Sequence, residues 1–128
     1  MSYEESYIQQ EIVARFRFRW PQYERLLFHP ANEGKRTTKV VYNRYGSRVV
    51  CTGGAKLKAE GLVAGVADLI LLIPRHGYGC LCIEVKTPTG RQNPEQKEWQ
   101  KAVTEAGNLY VVCRSPDQAM DLIEDYLA

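Results

Sequence analysis

The sequence predicts an α/β fold, a sheet covered by helices, on three observations. Periodicities alternate along the chain in the order helix, strand, basic arm, strand hairpin, helix, strand, helix. The last helix and strand read as a crossover onto the central sheet, because the continuous apolar run LYVVC at 109–113 has strand length and looks buried on both faces. The stretch GVADLILLIPRHGYGCLCIEVK at 65–86 reads as two strands joined by a tight turn.

Each element has its own justification. Ser2 followed by Glu5 fits a capping box, and the helical period runs from there to about Phe18. Ile8, Ile12 and Phe16 form its inward stripe, with Glu5 in the middle of that face and Glu4 and Glu11 well to one side. Pro21 ends the helix, and Arg25–His29 reads as a short strand stopped by Pro30. The loop ANEGKR at 31–36 follows. Between Thr37 and Thr52 two apolar triplets flank Asn43–Ser47, which indicates a basic hairpin; a helix over Thr37–Tyr45 competes with it. Ala55–Glu60 is a short helical piece that Gly61 terminates. After the loop Thr87–Gln92, Asn93 caps a helix with Pro94 at its first position and Gln96 completing the cap; it runs to about Ala106 and stops at Gly107. Ser115 and Pro116 repeat that signal, and Ala119, Leu122, Ile123, Tyr126 and Leu127 form the core face of the final helix.

With 128 residues and 45% hydrophobic content, one domain over 1–128 is expected, with 37–52 as a possible hairpin insertion. No apolar run approaches the ~20 residues that span a bilayer, and the N-terminus lacks a signal peptide's apolar stretch, so a soluble cytoplasmic protein with no membrane partner is expected. Cys51, Cys80, Cys82 and Cys113 show no CxxC pairing and read as reduced, packed thiols. The net charge of +2 is small but uneven. Lys35, Arg36, Lys39, Arg44, Arg48, Lys56 and Lys58 fall in a stretch without an acid, whereas from Glu95 onward acids outnumber bases by seven to three. Such a basic segment reads as a polyanion-binding surface or, more plainly, as a solvated loop.

The chemistry centres on 65–86. Side chains alternate along a strand, so Glu84 and Lys86 share one face while Ile83 and Val85 share the other. Asp68, near the start of the first strand, adds a second carboxylate to an apolar sheet, where an uncompensated charge costs several kcal/mol. Glu5 either closes its capping box or faces the same interior. Three acids from three elements would suit Mg²⁺ or Mn²⁺, completed by waters and phosphate oxygens, and Lys86 could orient or deprotonate the attacking water or neutralise developing charge. Other designs fit worse. There is no GxSxG elbow and no GxxxxGK[ST] loop, and His29 and His76 lie at turns with no zinc-like spacing.

Gly65-Val66-Ala67-Asp68 followed by Glu84-Val85-Lys86 resembles the PD-(D/E)XK nuclease signature. More narrowly, the chain resembles the virus-type replication-repair nuclease (VRR-NUC) group. The resemblance extends through Glu5–Gln9, Asn32–Arg36, Lys58–Gly61, and Thr87–Arg91 with Gln96 and Trp99. It implies a restriction-endonuclease-like core with a central mixed β-sheet flanked by α-helices, and a divalent-metal-dependent DNA endonuclease. On that pattern Asp68 and Glu84 ligate the metal, the Val85 carbonyl adds an oxygen, Lys86 serves the attacking water, Glu5 is the first-helix acid and Gln96 supports the site. Asn32, Arg91 and the basic residues from Lys35 to Lys58 would contact nucleic acid. Stand-alone members resemble Holliday junction resolvases and act as homodimers on branched DNA, and a phage or bacterial origin goes with that group. Ala67 departs from the family's usual proline, at a position that supplies no ligand, and the segment 37–52 is longer than the usual connection.

Overall fold

The computed structural model describes residues 1–30, 37–52 and 54–128, with 37–43 and 47–52 described by their backbone. Its contacts gather into two compact units, one of Met1–Pro30 with Gly65–Ala128 and one of Ala31–Ala64.

In the larger unit, α1 (Tyr3–Arg19) begins where the Ser2 side chain accepts the N–H of Glu5, a cap worth about 1 kcal/mol, and ends before Pro21. Ile8, Ile12 and Phe16 are its buried residues, as the periodicity requires. The expected strand at Arg25–His29 is shorter than predicted. Pro21–Leu26 winds into a 3-10 helix, and only Leu27–Phe28 form β1. Proline presets the first helical turn, and Trp20, Tyr23 and Leu26, spaced by three, pack against the core as a 3-10 period demands.

Strand β1 pairs antiparallel with β4 (Leu69–Leu71), β4 antiparallel with β5 (Leu81–Val85), and β5 parallel with β6 (Leu109–Cys113), giving a mixed four-stranded sheet in the order β1-β4-β5-β6. The hairpin at 65–86 is present with shorter strands than expected. Residues 72–80 connect them, folding back through an Arg75–Tyr78 bridge with His76 and Gly77 at positive φ. The crossover is made by α3 (Pro94–Glu105) between β5 and β6, and α4 (Pro116–Leu127) follows β6. Asn93 and Gln96 form the full capping box of α3, and its end is a Schellman motif, with Gly107 N–H bonded to Thr104 and Asn108 N–H to Val103. Gly107 takes φ +95°, where a side chain would be strained. As an edge strand, β6 is only half-buried at Leu109, Val111 and Val112, less than its apolar sequence implies.

The sheet separates two packing layers. On one face Leu69, Leu71, Leu81, Ile83 and Val85 meet Ile8, Ile12 and Phe16 of α1 and Ala119, Ile123 and Tyr126 of α4. On the other, Ala67, Cys82 and Tyr110 meet Trp99 and Val103 of α3. Cys80, Cys82 and Cys113 are free thiols, and burial raises Cys113 to about 11.

In the smaller unit, β2 (Thr37–Asn43) and β3 (Gly46–Thr52) form the expected antiparallel hairpin around Arg44 and Tyr45, so the competing helix is not formed. Helix α2 (Gly54–Ala59) follows and ends at Gly61. No helix among the described residues is long and apolar enough to cross a membrane.

Phe16 is fully buried between α1, the sheet and α4, so Phe16→Ala should destabilise the protein by about 3–5 kcal/mol. Urea unfolding followed by circular dichroism is expected to show a lower midpoint at an unchanged slope.

Candidate active site

The geometry begins with a ladder that stops early. The pairing of Leu69 with Ile83 would continue to Ala67 and Val85, but β4 starts only at Leu69. The Val85 N–H would then lack a strand partner, and the Asp68 Oδ2 accepts it at 2.8 Å. Asp68 is thereby fixed beside the end of β5. Its own carbonyl accepts the His29 Nδ1–H.

Glu84 lies on the α3-facing side of β5 and is 1% exposed. Its Oε1 accepts Gln96 Nε2–H at 3.0 Å and lies 3.7 Å from the Lys86 Nζ, and its Oε2 accepts the Tyr110 hydroxyl at 3.4 Å. Lys86, 8% exposed, is the cation of this pair. Burial pushes the Glu84 carboxyl from the ordinary 4.5 up to about 8; the charge and hydrogen bonding of Asp68 push the same way, while Lys86 and Tyr110 oppose. A buried carboxylate and a half-buried one therefore neighbour each other beside one lysine, an arrangement short of positive charge.

Gln96 is held at both ends. Its N–H and Oε1 close the cap with Asn93, while its Nε2 reaches Glu84. The start of α3 itself is pinned by Gly65, which sits at φ +83°; a Cβ there would overlap the Glu95 carbonyl and come within 2.8 Å of the Gln96 nitrogen. The glycine of the GVAD stretch thus sets how closely α3 approaches the site.

Glu5 lies elsewhere. Helix α1 covers the opposite face of the sheet, and the Glu5 Oε1 comes against Gly90, 3.6 Å from where a Cβ would stand, in the turn after Lys86. Among the described residues no three His, Cys, Asp or Glu side chains gather into a metal-holding group. The structure brings together Asp68, Val85, Glu84, Lys86 and Gln96, and places Glu5 at the adjoining turn. One helical turn from Glu5, the Gln9 Oε1 is buried without a hydrogen-bond partner, an amide oxygen of the type hard cations accept.

In the smaller unit, Lys56 forms an exposed ion pair with Glu60, Lys58 is exposed, and the Arg44 guanidinium lies over Tyr45 and donates to its hydroxyl. Arg91, in the larger unit, is exposed. Asn32, Lys35 and Arg36 lie outside the described residues, as do the side chains of Lys39 and Arg48.

A family model described as the VRR-NUC domain matches residues 8–117. The chain belongs to the VRR-NUC family. A solved structure titled "VRR_NUC domain protein" superposes with a TM-score of 0.75 at 22% identity, covering 99% of this chain and 90% of that one, which supports the shared α/β fold. Among curated proteins no match was found. As a VRR-NUC domain the chain is a nuclease in general terms, with DNA as the substrate class and divalent metals as the family's usual cofactor.

Several residues that build this VRR-NUC site escape sequence reasoning. Tyr110 is embedded in an apolar run, and Gln92, whose Nε2 donates to both Gln100 and the Tyr110 oxygen at 3.0 Å, looks like a loop residue. The donor set at the end of β5 suits a hard divalent cation in its chemistry: two neighbouring carboxylates beside one ammonium.

Because the folded pKa of Glu84 lies above its unfolded value, the stability tied to its proton is fully present below about 4.5 and is lost as pH rises to about 8. With chelator present, the wild type should lose on the order of a few kcal/mol across that window relative to Glu84→Gln. Thermal melts at stepped pH check this, and parallel curves for the two proteins would refute the placement.

Proposed function

We propose that this VRR-NUC domain is a divalent-metal-dependent, structure-selective DNA endonuclease that hydrolyses phosphodiester bonds, with Holliday junctions as the preferred substrate. The observation that carries it is the buried Glu84 beside the half-buried Asp68, with Lys86 alongside. Asp68, Glu84 and the Val85 carbonyl would hold Mg²⁺ or Mn²⁺. The cation would activate water and stabilise charge on the transferring phosphoryl group. Lys86 orients or deprotonates the attacking water, or balances the growing negative charge. Gln96 keeps the Glu84 carboxylate facing the pocket. Glu5, held against the turn that follows Lys86, would supply a third carboxylate towards the hydrated cation, in keeping with the reluctance of Mg²⁺ to shed its hydration shell.

Binding would draw on Arg91 and on the basic residues Lys35, Arg36, Lys39, Arg44, Arg48, Lys56 and Lys58, with Asn32 in the same stretch. The segment 37–52 is read as a hairpin insertion in a single nuclease domain. Symmetric cutting of a four-way junction needs two sites, which a homodimer supplies.

Cleavage of a labelled four-way junction in Mg²⁺ or Mn²⁺ tests the proposal. Asp68→Ala and Glu84→Gln should each reduce the rate by about 10³-fold, as expected when several kcal/mol of metal-centred stabilisation is lost. Equal cutting by wild type and Asp68→Ala would remove the assigned site. Cutting confined to linear duplex or flaps would leave a nuclease without junction selectivity, whereas salt-sensitive binding without turnover would leave a DNA-binding module.

A further inference from the structure

The turn that follows Lys86 is held from a distance. In Thr87–Gly90 the Gly90 N–H bonds back to the Thr87 carbonyl at 3.1 Å, which leaves carbonyl oxygens crowded on one side of a short loop. Arg114, just past β6, meets them. Its Nη1 donates to the carbonyls of Thr87 at 2.8 Å, Gly90 at 2.7 Å and Pro88 at 3.5 Å. All three bonds leave one Nη1, whose two N–H groups serve the short contacts to Thr87 and Gly90 while Pro88 is the long one; the planar guanidinium fixes the direction of those donors, whereas a lysine offers a freely rotating point charge. The backbone N–H of Arg114 donates in turn to Gln118 Oε1 at 2.7 Å, so the first turn of α4 fixes the root of the clamp.

The clamped turn is also the surface on which Glu5 rests. A Cβ at Gly90 would stand 3.0 Å from the Thr87 Oγ1 and 3.6 Å from the Glu5 Oε1. A turn fixed by Arg114 therefore offers Glu5 a fixed floor, and a loosened turn does not. We propose that Arg114 is a positioning residue: it clamps the Thr87–Gly90 turn and, through Gly90, seats the Glu5 carboxylate against the segment that follows Lys86. The inference rests on the nuclease reading for its functional consequence, and on the structure alone for the clamp.

The test uses the full chain with Arg114→Gln, Arg114→Lys, Gly90→Ala, Glu5→Gln and the double variant Arg114→Gln/Glu5→Gln. Hydrogen exchange at 87–91 should accelerate by about tenfold in Arg114→Gln and less in Arg114→Lys, since local opening governs exchange in such turns. Junction cleavage is then titrated with Mn²⁺. Arg114→Gln and Glu5→Gln should each raise the half-maximal Mn²⁺ concentration by about five- to tenfold, and the double variant should be no worse than Glu5→Gln, the mark of two residues acting through one contact. Gly90→Ala, whose methyl would meet the Glu5 Oε1 at an ordinary 3.6 Å while the guanidinium stays in place, should keep both the exchange rate and the Mn²⁺ requirement within about twofold of the wild type. Unchanged exchange in Arg114→Gln overturns the clamp. Faster exchange with multiplicative effects in the double variant overturns the link to Glu5. If the wild type itself cleaves nothing, the nuclease reading fails, and exchange still decides the clamp.

Discussion

Water cannot solvate a carboxylate that is 1% exposed, so the groups that stand in for water around Glu84 come from three separate parts of the fold. The amide of Gln96 arrives on α3, the hydroxyl of Tyr110 on β6, and the ammonium of Lys86 on the chain leaving β5. A buried carboxylate missing one of its partners costs several kcal/mol. The register of β6 is constrained accordingly. A slip of one residue would turn Tyr110 to the opposite face and bring Val111 against Glu84.

The sheet acts as a partition between two kinds of work. Towards α1 and α4 it is wholly apolar, and this layer supplies the stability. The exposed pairs Arg15–Asp117 and Arg19–Glu124 lash the same two helices together, but such surface pairs contribute little beside the core they rim. Towards α3 the sheet carries its charge. Asp68 sits at the boundary, completing the ladder through Val85 while placing a carboxylate next to Glu84.

What could be seen in the chain beforehand was what local periodicity encodes. The stripe Ile8, Ile12, Phe16 appears because three turns of one helix meet one core, and the shared face of Glu84 and Lys86 appears because a strand alternates. The cap of α3 was visible too, since Asn93, Pro94 and Gln96 are neighbours. The strand expected over Arg25–His29 shrinks to Leu27–Phe28 because Pro21 and a spacing of three wind the chain as a 3-10 helix up to Leu26. Tyr110 and Arg114 were invisible for another reason: their partners lie 26 and 27 positions away, at Glu84 and Thr87, and no short-range pattern reports a contact made by a crossover. For Glu5, helical phase fixes the direction a residue faces on its helix but not which side of the sheet the helix covers.

The capping residue of α3 carries a restriction that helix chemistry alone does not impose. The third position of a capping box accepts glutamate as readily as glutamine. At Gln96 the same side chain also touches Glu84, and a glutamate would add a third negative group to a pocket with one ammonium. Of two residues interchangeable to the helix, only the amide is compatible with the site. The vocabulary open to this position is thus narrowed by a charge twelve residues upstream, and a local rule of folding becomes a record of chemistry.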